Sequence, residues 1–299
     1  VRNWQLFGLA VLIWGTTWHA ITWQLQGSTP EFGVAVRFAL AGLAALAWAA
    51  WRGERWRFSA SEHLRIALQG IFMYSLAYLC VYHAEKHVPS GLVAVGYSAS
   101  PLFNGVVAHW LWGVVLPRRF ILGGVLGLVG VGMIFGREFI QLGANGDTGL
   151  GALFTLGAVL LSSVGSLVAS RNKDRGLPLW PAMGWGMVYG ALCSAAVVLA
   201  TGQPIVWPSA PSWWGSLAYL AIAGSVIAFA CYLTLQQRLG PGPASTVGVA
   251  APVLALVVST AFEGYQPGAL AIAGVTLAVM GNAMALGLGS RRQPLEPQT

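Results

Sequence analysis

Charge is what this 299-residue sequence has least of. Charged residues make up 8% of it, against roughly a quarter in soluble domains, and mean hydropathy is +0.67, which excludes water as the main solvent. Long polar stretches are also missing. The longest connections, near 52–62, 137–146, 169–179 and 202–211, are broken by Gly, Pro and charge, and none can bury a core of its own, so a separate soluble domain is excluded. Cysteine is scarce. Cys80, Cys193 and Cys231 lie in apolar segments at no metal-like spacing and read as buried free thiols. Acidic residues are absent from the middle of every apolar segment: Glu31, Glu85, Glu138, Asp147 and Glu263 fall at or near segment ends, and Glu54, Glu62, Asp174 and Glu296 on polar connections. Ionisable groups at mid-membrane are costly and functional when present. Their absence removes the carboxylate with which an organic cation or a proton would be held.

What is present is a series of apolar runs near the length of about 20 residues that a membrane helix needs. They lie at about 4–24, 30–51, 63–83, 88–110, 119–136, 147–168, 180–201, 212–232, 242–262 and 267–288. The fold expected is an all-α membrane protein of ten transmembrane helices. If the N-terminus is cytoplasmic, the inner connections collect Arg52, Arg55, Arg57 and Arg65, then Arg118 and Arg119, then Arg171, Lys173 and Arg175, with Arg2, Arg238, Arg291 and Arg292 beside them. Only Lys86 and Arg137 remain outside, so the positive-inside rule puts both termini in the cytoplasm and accounts for the +7 net charge without a nucleic-acid partner. The first run carries Trp14, Trp18 and His19 and lacks a small-residue cleavage site, so it reads as a retained helix.

The chain also repeats itself. Pro101 and Pro252 stand 151 positions apart, each followed twelve residues later by a glycine, Gly113 and Gly264, and Ala99/Ala250, Val106/Val257 and Val107/Val258 match in the same register. A similar offset lays Ala10-Val11-Leu12 on Ala158-Val159-Leu160. Two five-helix repeats follow, 1–146 and 147–299, and an odd number of helices per repeat inverts the second in the membrane. Each proline removes a helix hydrogen bond and frees a carbonyl four residues back, so Pro101 and Pro252 are hinge candidates.

Polar and aromatic side chains gather on a few segments. Tyr74, Tyr78 and Tyr82 recur every four residues on helix three; Tyr97, Ser100 and Asn104 share a face around Pro101. Helix one offers Trp14, Thr17 and Trp18, helix six Ser162, Ser163 and Ser166, and helix eight Ser225, Phe229 and Tyr232. The expected substrate contacts are Trp14, Thr17, Tyr74, Tyr78, Tyr82, Tyr97, Ser100, Asn104, Ser163, Ser166 and Phe229. Converging, these faces make a cavity with aromatic walls and neutral hydrogen-bonding groups, suited to a flat apolar side chain with an amino-acid head. Arg37 sits about two turns into helix two, where its side chain is expected to snorkel outward, so the cargo is expected to be neutral overall, such as a zwitterion. Tyr82, Trp4, Trp23, Trp207, Trp213 and Trp214 fall near helix ends and also suit an interfacial belt. His83, Glu85 and His87 form an H-x-E-x-H cluster that reads as interfacial and polar, with no third metal ligand evident. His19 and His109 are lone residues read as satisfied by neighbours. Gly123, Gly127, Gly132 and Gly136 on helix five, Gly186 and Gly190 on helix seven, and Gly274 with Ala278 on helix ten have the spacing of close helix contacts, a scaffold in preference to a dimer face.

Trp14-Gly15-Thr16-Thr17, Pro30 followed by Arg37-Phe38, Pro101 and Pro252, and the glycine-rich helices five and ten resemble the EamA-type members of the drug/metabolite transporter superfamily, over nearly the whole chain. The tyrosine- and tryptophan-rich interior is most similar to the bacterial aromatic amino acid exporters of the YddG type. Similar proteins often carry a glutamate just after the glycine that closes helices four and nine; here those places are Val114 and Tyr265, with Glu263 on the other side of Gly264, and no role is carried over to that acid. The resemblance implies an inner-membrane exporter in which helices three, four, eight and nine, with one and six, surround a central cavity and the halves rock to give alternating access. Its partners would be a small-molecule substrate and the lipid bilayer. A monomer is expected, with a homodimer as the alternative, and no cofactor, metal or nucleic acid. The rival readings are a drug or other metabolite exporter of the same superfamily and a membrane-embedded enzyme using His83, Glu85 and His87. A channel is disfavoured by the lack of charge rings or a filter motif.

Overall fold

The computed structural model describes residues 1–141, 147–239, 244 and 246–285, with the side chains of 135–141 outside the description. Arg291, Arg292 and Glu296, which entered the sequence reading, lie outside it, as do the side chains of Arg137 and Glu138. Every regular element among the described residues is helical. The rods are α1 Asn3–Leu25, α2 Pro30–Trp51, α3 Ala60–Ala84, α4 Ser90–Trp112, α5 Arg118–Gln141, α6 Asp147–Asp174, α7 Leu179–Thr201, α8 Pro211–Leu239, α9 Val247–Phe262 and α10 Ala269–Ala285. Seven of these, α1 to α4 and α6 to α8, are long and apolar enough to cross a membrane, and α9 and α10 are shorter apolar helices. The exteriors of the rods are apolar as well. Leu43, Leu122, Leu153, Leu199 and Phe262 are all more than half exposed, a surface that lipid tolerates and water does not.

Local chemistry sets the ends. Thr29 caps α2 by accepting from the Phe32 N–H at 3.3 Å, with Pro30 in the first turn where its missing N–H costs nothing. Ser59 and Glu62 form a capping box at the start of α3. The repeated glycines now have a physical reason: Gly113 (φ 65°) and Gly264 (φ 69°) both take the left-handed conformation just past α4 and α9, where a side chain would be strained.

Glycine also sets the interior packing. A Cβ on Gly70 would lie 2.0 Å from the Gly186 carbonyl oxygen, and one on Gly281 would lie 2.4 Å from the Gly127 nitrogen, so α3 on α7 and α10 on α5 are in backbone contact. Gly123, Gly130 and Gly274 belong to the α5–α10 seam too. Gly132 does not: nothing lies within 4 Å of its Cβ position. The α5–α10 and α2–α7 pairs are the most extensive in the molecule. The packing maps onto itself when the halves are exchanged: α1 on α8 is mirrored by α6 on α3, α1 on α9 by α6 on α4, and α3 on α7 by α8 on α2, while α2–α7, α4–α9 and α5–α10 map onto themselves. That reciprocity of contacts is what two repeated halves would produce. Both α3 and α8 contain a π-helical stretch, Ile71–Leu76 and Leu220–Ile227, at corresponding places in the two halves.

Candidate functional site

One cavity of about 130 Å³ lies where α1, α2, α3, α4, α6, α8 and α9 meet, room for a small solute. α1 contributes Trp14, Thr17 and Trp18, and α4 contributes Tyr97, Ser100 and Asn104. Tyr78, Ser166 and Phe229 complete the part of the wall expected from the sequence. Trp14 meets Phe229 edge-on at 5.1 Å, and Trp18 lies 5.2 Å from Tyr97. The wall is mostly carbon, as suits a cargo with an aromatic or aliphatic body.

Three of the expected contacts are elsewhere. Tyr74 is fully buried against Phe38 and Phe229 and turned away from the cavity, while Tyr78 faces it. The Tyr74 side of α3 is the one that meets α7, where Gly186 and Gly190 lie against it, and a four-residue spacing does not tell that side from the one facing the cavity. Tyr82 is fully buried behind the wall, bonded to Gln24 and Arg37. Ser163 is buried off the cavity, and its neighbour Ser162 lines it with Ser166. Tyr82 and Trp213 also leave the interfacial belt: Trp213 is fully buried, donating to the Gln24 carbonyl at 3.1 Å and Ser28 Oγ at 3.0 Å.

Arg37 is the residue that sequence reasoning placed wrongly. It does not snorkel. It is 1% exposed and lines the cavity, with Nε donating to Ser225 Oγ at 3.0 Å and Nη1 to Tyr82 Oη at 3.3 Å. Its guanidinium lies 4.6 Å above the Tyr78 ring and 5.2 Å from that of Phe38. The π stretch of α8 positions its partner. Ser225 Oγ there donates to the Leu220 carbonyl at 2.9 Å and is left free to accept from Arg37, and the adjacent Gly224 carbonyl accepts from Trp14 Nε1 at 3.2 Å.

The hinge candidates differ. Pro101 sits in the first turn of the 100–112 stretch, after a tight Tyr97–Ala99 turn, and the Tyr97 carbonyl is satisfied by Ser100 Oγ at 2.5 Å. Pro252 is inside α9 and has no N–H to offer Gly248; both residues are on the cavity wall. α4 changes neighbours at this point. Residues 90–99 lie along α9, while 100–112 pack on α6, α5 and α10.

At one end of the cavity, Glu263 ties three rods together. Its Oε1 is 3.0 Å from His19 Nδ1 of α1 and accepts from the Ser90 hydroxyl, while Oε2 accepts from the Ser90 N–H at 3.1 Å and from Ser259 Oγ at 2.9 Å. Burial alone would push this carboxyl up, but the hydrogen bonds from Ser90, His19 and Ser259 hold it below the ordinary carboxylate value. Glu85 is the opposite case. Burial first and the nearby Glu263 second push it well above that value, against the pull of Arg37, and neither of its oxygens has a hydrogen-bond partner.

The H-x-E-x-H cluster separates in space. His83 Nε2 lies 2.7 Å from Glu31, and His87 Nδ1 3.2 Å from Asp147, with Phe154 stacked on both rings. No group of three potential metal ligands occurs among the described residues. His83→Ala combined with His87→Ala is expected to leave most cargo movement intact in a vesicle efflux assay. Complete loss would favour a catalytic role for the cluster.

Comparison with known proteins agrees with this architecture. The model of the EamA-like transporter family matches twice, over residues 4–136 and 149–287. The Escherichia coli K12 protein named "Uncharacterized inner membrane transporter YedA" is 30% identical over 273 residues, covering 87% of this chain and 82% of that protein. "Uncharacterized transporter sll0355" of Synechocystis is 25% identical over 291 residues, covering 90% and 84%. A crystal structure of a 22% identical protein superposes with a TM-score of 0.69 over 94% of this chain and 95% of that one, a likeness of fold.

Proposed function

The chain belongs to the EamA-like transporter family, and from that premise we propose that it is an inner-membrane exporter of small metabolites that are neutral overall, amino acids including aromatic ones among them. The observation that carries this reading is the cavity itself. Both halves contribute to it, and its wall combines aromatic rings with neutral hydroxyl and amide groups and the one guanidinium of Arg37, which a zwitterion can meet with its acid group. The name of the Escherichia coli relative supports the inner membrane, and the arginine-rich connections support cytoplasmic termini and an inverted second half. In that orientation the Glu263 clasp closes the periplasmic mouth, and transport consists of breaking it while the opposite mouth closes by flexing at Pro252 and at the turn before Pro101. A drug exporter of the same superfamily is the second reading, favoured by the apolar share of the wall.

The deciding experiment is efflux of radiolabelled phenylalanine, threonine and a cationic dye from liposomes holding the purified chain, with and without a pH gradient. Amino-acid efflux without dye movement supports the proposal, and dye efflux alone moves the reading to drug export. Within the same assay, Tyr97→Ala is expected to lower phenylalanine efflux by about tenfold and alanine efflux by no more than about twofold, since it deletes ring contacts worth about 1 kcal/mol in addition to the buried area. Equal losses for the two cargoes would remove Tyr97 from a stacking role.

A further inference from the structure

Among the described residues the cavity wall carries one guanidinium, that of Arg37, and no carboxylate forms an ion pair with it. The ion pairs among the described residues are made by His19, Arg52, Arg55, His83 and His87, none by Arg37. Among the described residues its hydrogen bonds go to neutral hydroxyls, those of Ser225 and Tyr82, with the Tyr78 hydroxyl beside it, and none goes to a carboxylate. A buried charge in this condition is costly unless something pairs with it. The Tyr78 and Phe38 rings hold the guanidinium from the side and make only a partial substitute. Glu85, the carboxylate whose field reaches Arg37, makes no ion pair with it and no hydrogen bond at either oxygen. The fork-shaped guanidinium is the side chain best matched to a planar carboxylate. Two other wall residues also carry buried polar atoms with no partner, the Trp18 Nε1 donor and the Asn104 Oδ1 acceptor.

We propose that Arg37 is the carboxylate receptor of the cavity, so that the cargo class is a small amphiphile with a carboxylate at one end and an apolar or aromatic body. This rests on the transport reading above: it requires an acid group of the cargo and admits carboxylates that lack an ammonium. The bound carboxylate supplies the counter-charge missing from the protein, with Tyr78 and Phe38 keeping the guanidinium in place and Ser225 and Tyr82 fixing its plane. An amino acid satisfies the site with its carboxylate on Arg37 and its ammonium near an acceptor such as Asn104. A cation lacking the acid group would add charge to a wall that already carries one.

The test is calorimetric titration of the purified full-length chain with 3-phenylpropionate, phenylalanine, phenethylamine and 2-phenylethanol, which share a body and differ in the head. The two carboxylates are expected to bind about thirtyfold tighter or more than the two ligands without one. Arg37→Gln is expected to bring all four within about threefold of one another, and Arg37→Lys to fall between, retaining the charge but losing the fork. A general loss of structure would lower every affinity alike; the ratio between heads reports the receptor role. Because the wild-type panel needs no variant, the proposal is decided even where Arg37→Gln does not fold. Equal binding of phenethylamine and phenylpropionate by the wild type, no binding of any of the four, or an Arg37→Gln protein that keeps the discrimination would each overturn it. Tight binding of the carboxylates without phenylalanine efflux sinks the amino-acid export reading and leaves Arg37 as receptor. Efflux of phenylalanine with equal binding of phenethylamine does the reverse.

Discussion

Gly281→Leu is expected to prevent the chain from accumulating as a folded, monodisperse protein. The first carbon of the new side chain would already lie 2.4 Å from the Gly127 nitrogen, 2.5 Å from the Gly123 carbonyl oxygen and 2.9 Å from the Gly127 Cα. These are backbone atoms of α5, which cannot swing aside as the end of a side chain can, so α10 must separate from α5 along the most extensive pairing in the molecule. Overpacking of this kind costs about 3 kcal/mol or more, a large share of the stability of an ordinary domain. Gly132→Leu is the matched control: it lies on α5, the other rod of this pair, but nothing is within 4 Å of its Cβ position, so it should be extracted and eluted like the parent. Size-exclusion profiles of the two variants in detergent decide the matter. A wild-type profile for Gly281→Leu would mean that the two helices do not meet through these glycines.

Glu263→Ala is expected to release the closed mouth. The carboxylate accepts from three residues on three rods, and hydrogen bonds to a charged group are worth about 1.5–3 kcal/mol each. Loss of even one such bond's worth of preference shifts a two-state equilibrium by about tenfold. A cysteine placed at the buried Leu92, near the start of α4, in a background without the native cysteines reports this through its labelling rate with a membrane-impermeant maleimide. Labelling should rise by about tenfold or more in Glu263→Ala and by less in His19→Ala, which removes one arm only. Unchanged labelling in Glu263→Ala would show that apolar packing, such as that of Gly91 on Ser259, closes the mouth unaided.

The acidity of the clasp sets its pH dependence. A carboxyl held below its ordinary value stabilises the clasped state fully above that value, and the stabilisation is lost as pH falls through the lowered one. Leu92→Cys labelling with Glu263 intact should therefore be flat across neutral pH and rise only in acid. Glu85 carries the opposite sign: with its carboxyl pushed up, the packed state loses stability as pH rises from the ordinary carboxylate range towards the raised value.

Much of the architecture was legible because the bilayer demands so much of a sequence. Apolar length gave the rods to within a few residues over most of the chain, and one run, 30–51, coincides with Pro30–Trp51. Gly113 and Gly264 could be found as a repeated pair because only glycine sits without strain in the left-handed turn that ends α4 and α9. Of the cavity wall, Trp14, Tyr97 and Phe229 could be collected as aromatic side chains on rods expected to be adjacent.

The direction of each side chain could not be read in the same way. A period of four on α3 promised one face for Tyr74, Tyr78 and Tyr82, but Tyr74 lies against Gly186 and Gly190 of α7 and Tyr82 is held by Gln24 and Arg37, partners that no local period marks. Arg37, near the end of a helix, looked free to reach the interface; the hydroxyls that keep it inward come from Tyr82 on α3 and Ser225, 188 residues away on α8. Glu263 appeared as one more acid at a helix end, and only the meeting of α1, α4 and α9 made it a clasp. The sequence by itself determined the solvent, the rods and the glycines that end α4 and α9, since these follow from local hydropathy and backbone strain. The tertiary structure alone decided which groups face the cavity and which tie its rods together, since a helix turns its polar side chains towards whichever partners its neighbours supply, and those neighbours are distant in the chain.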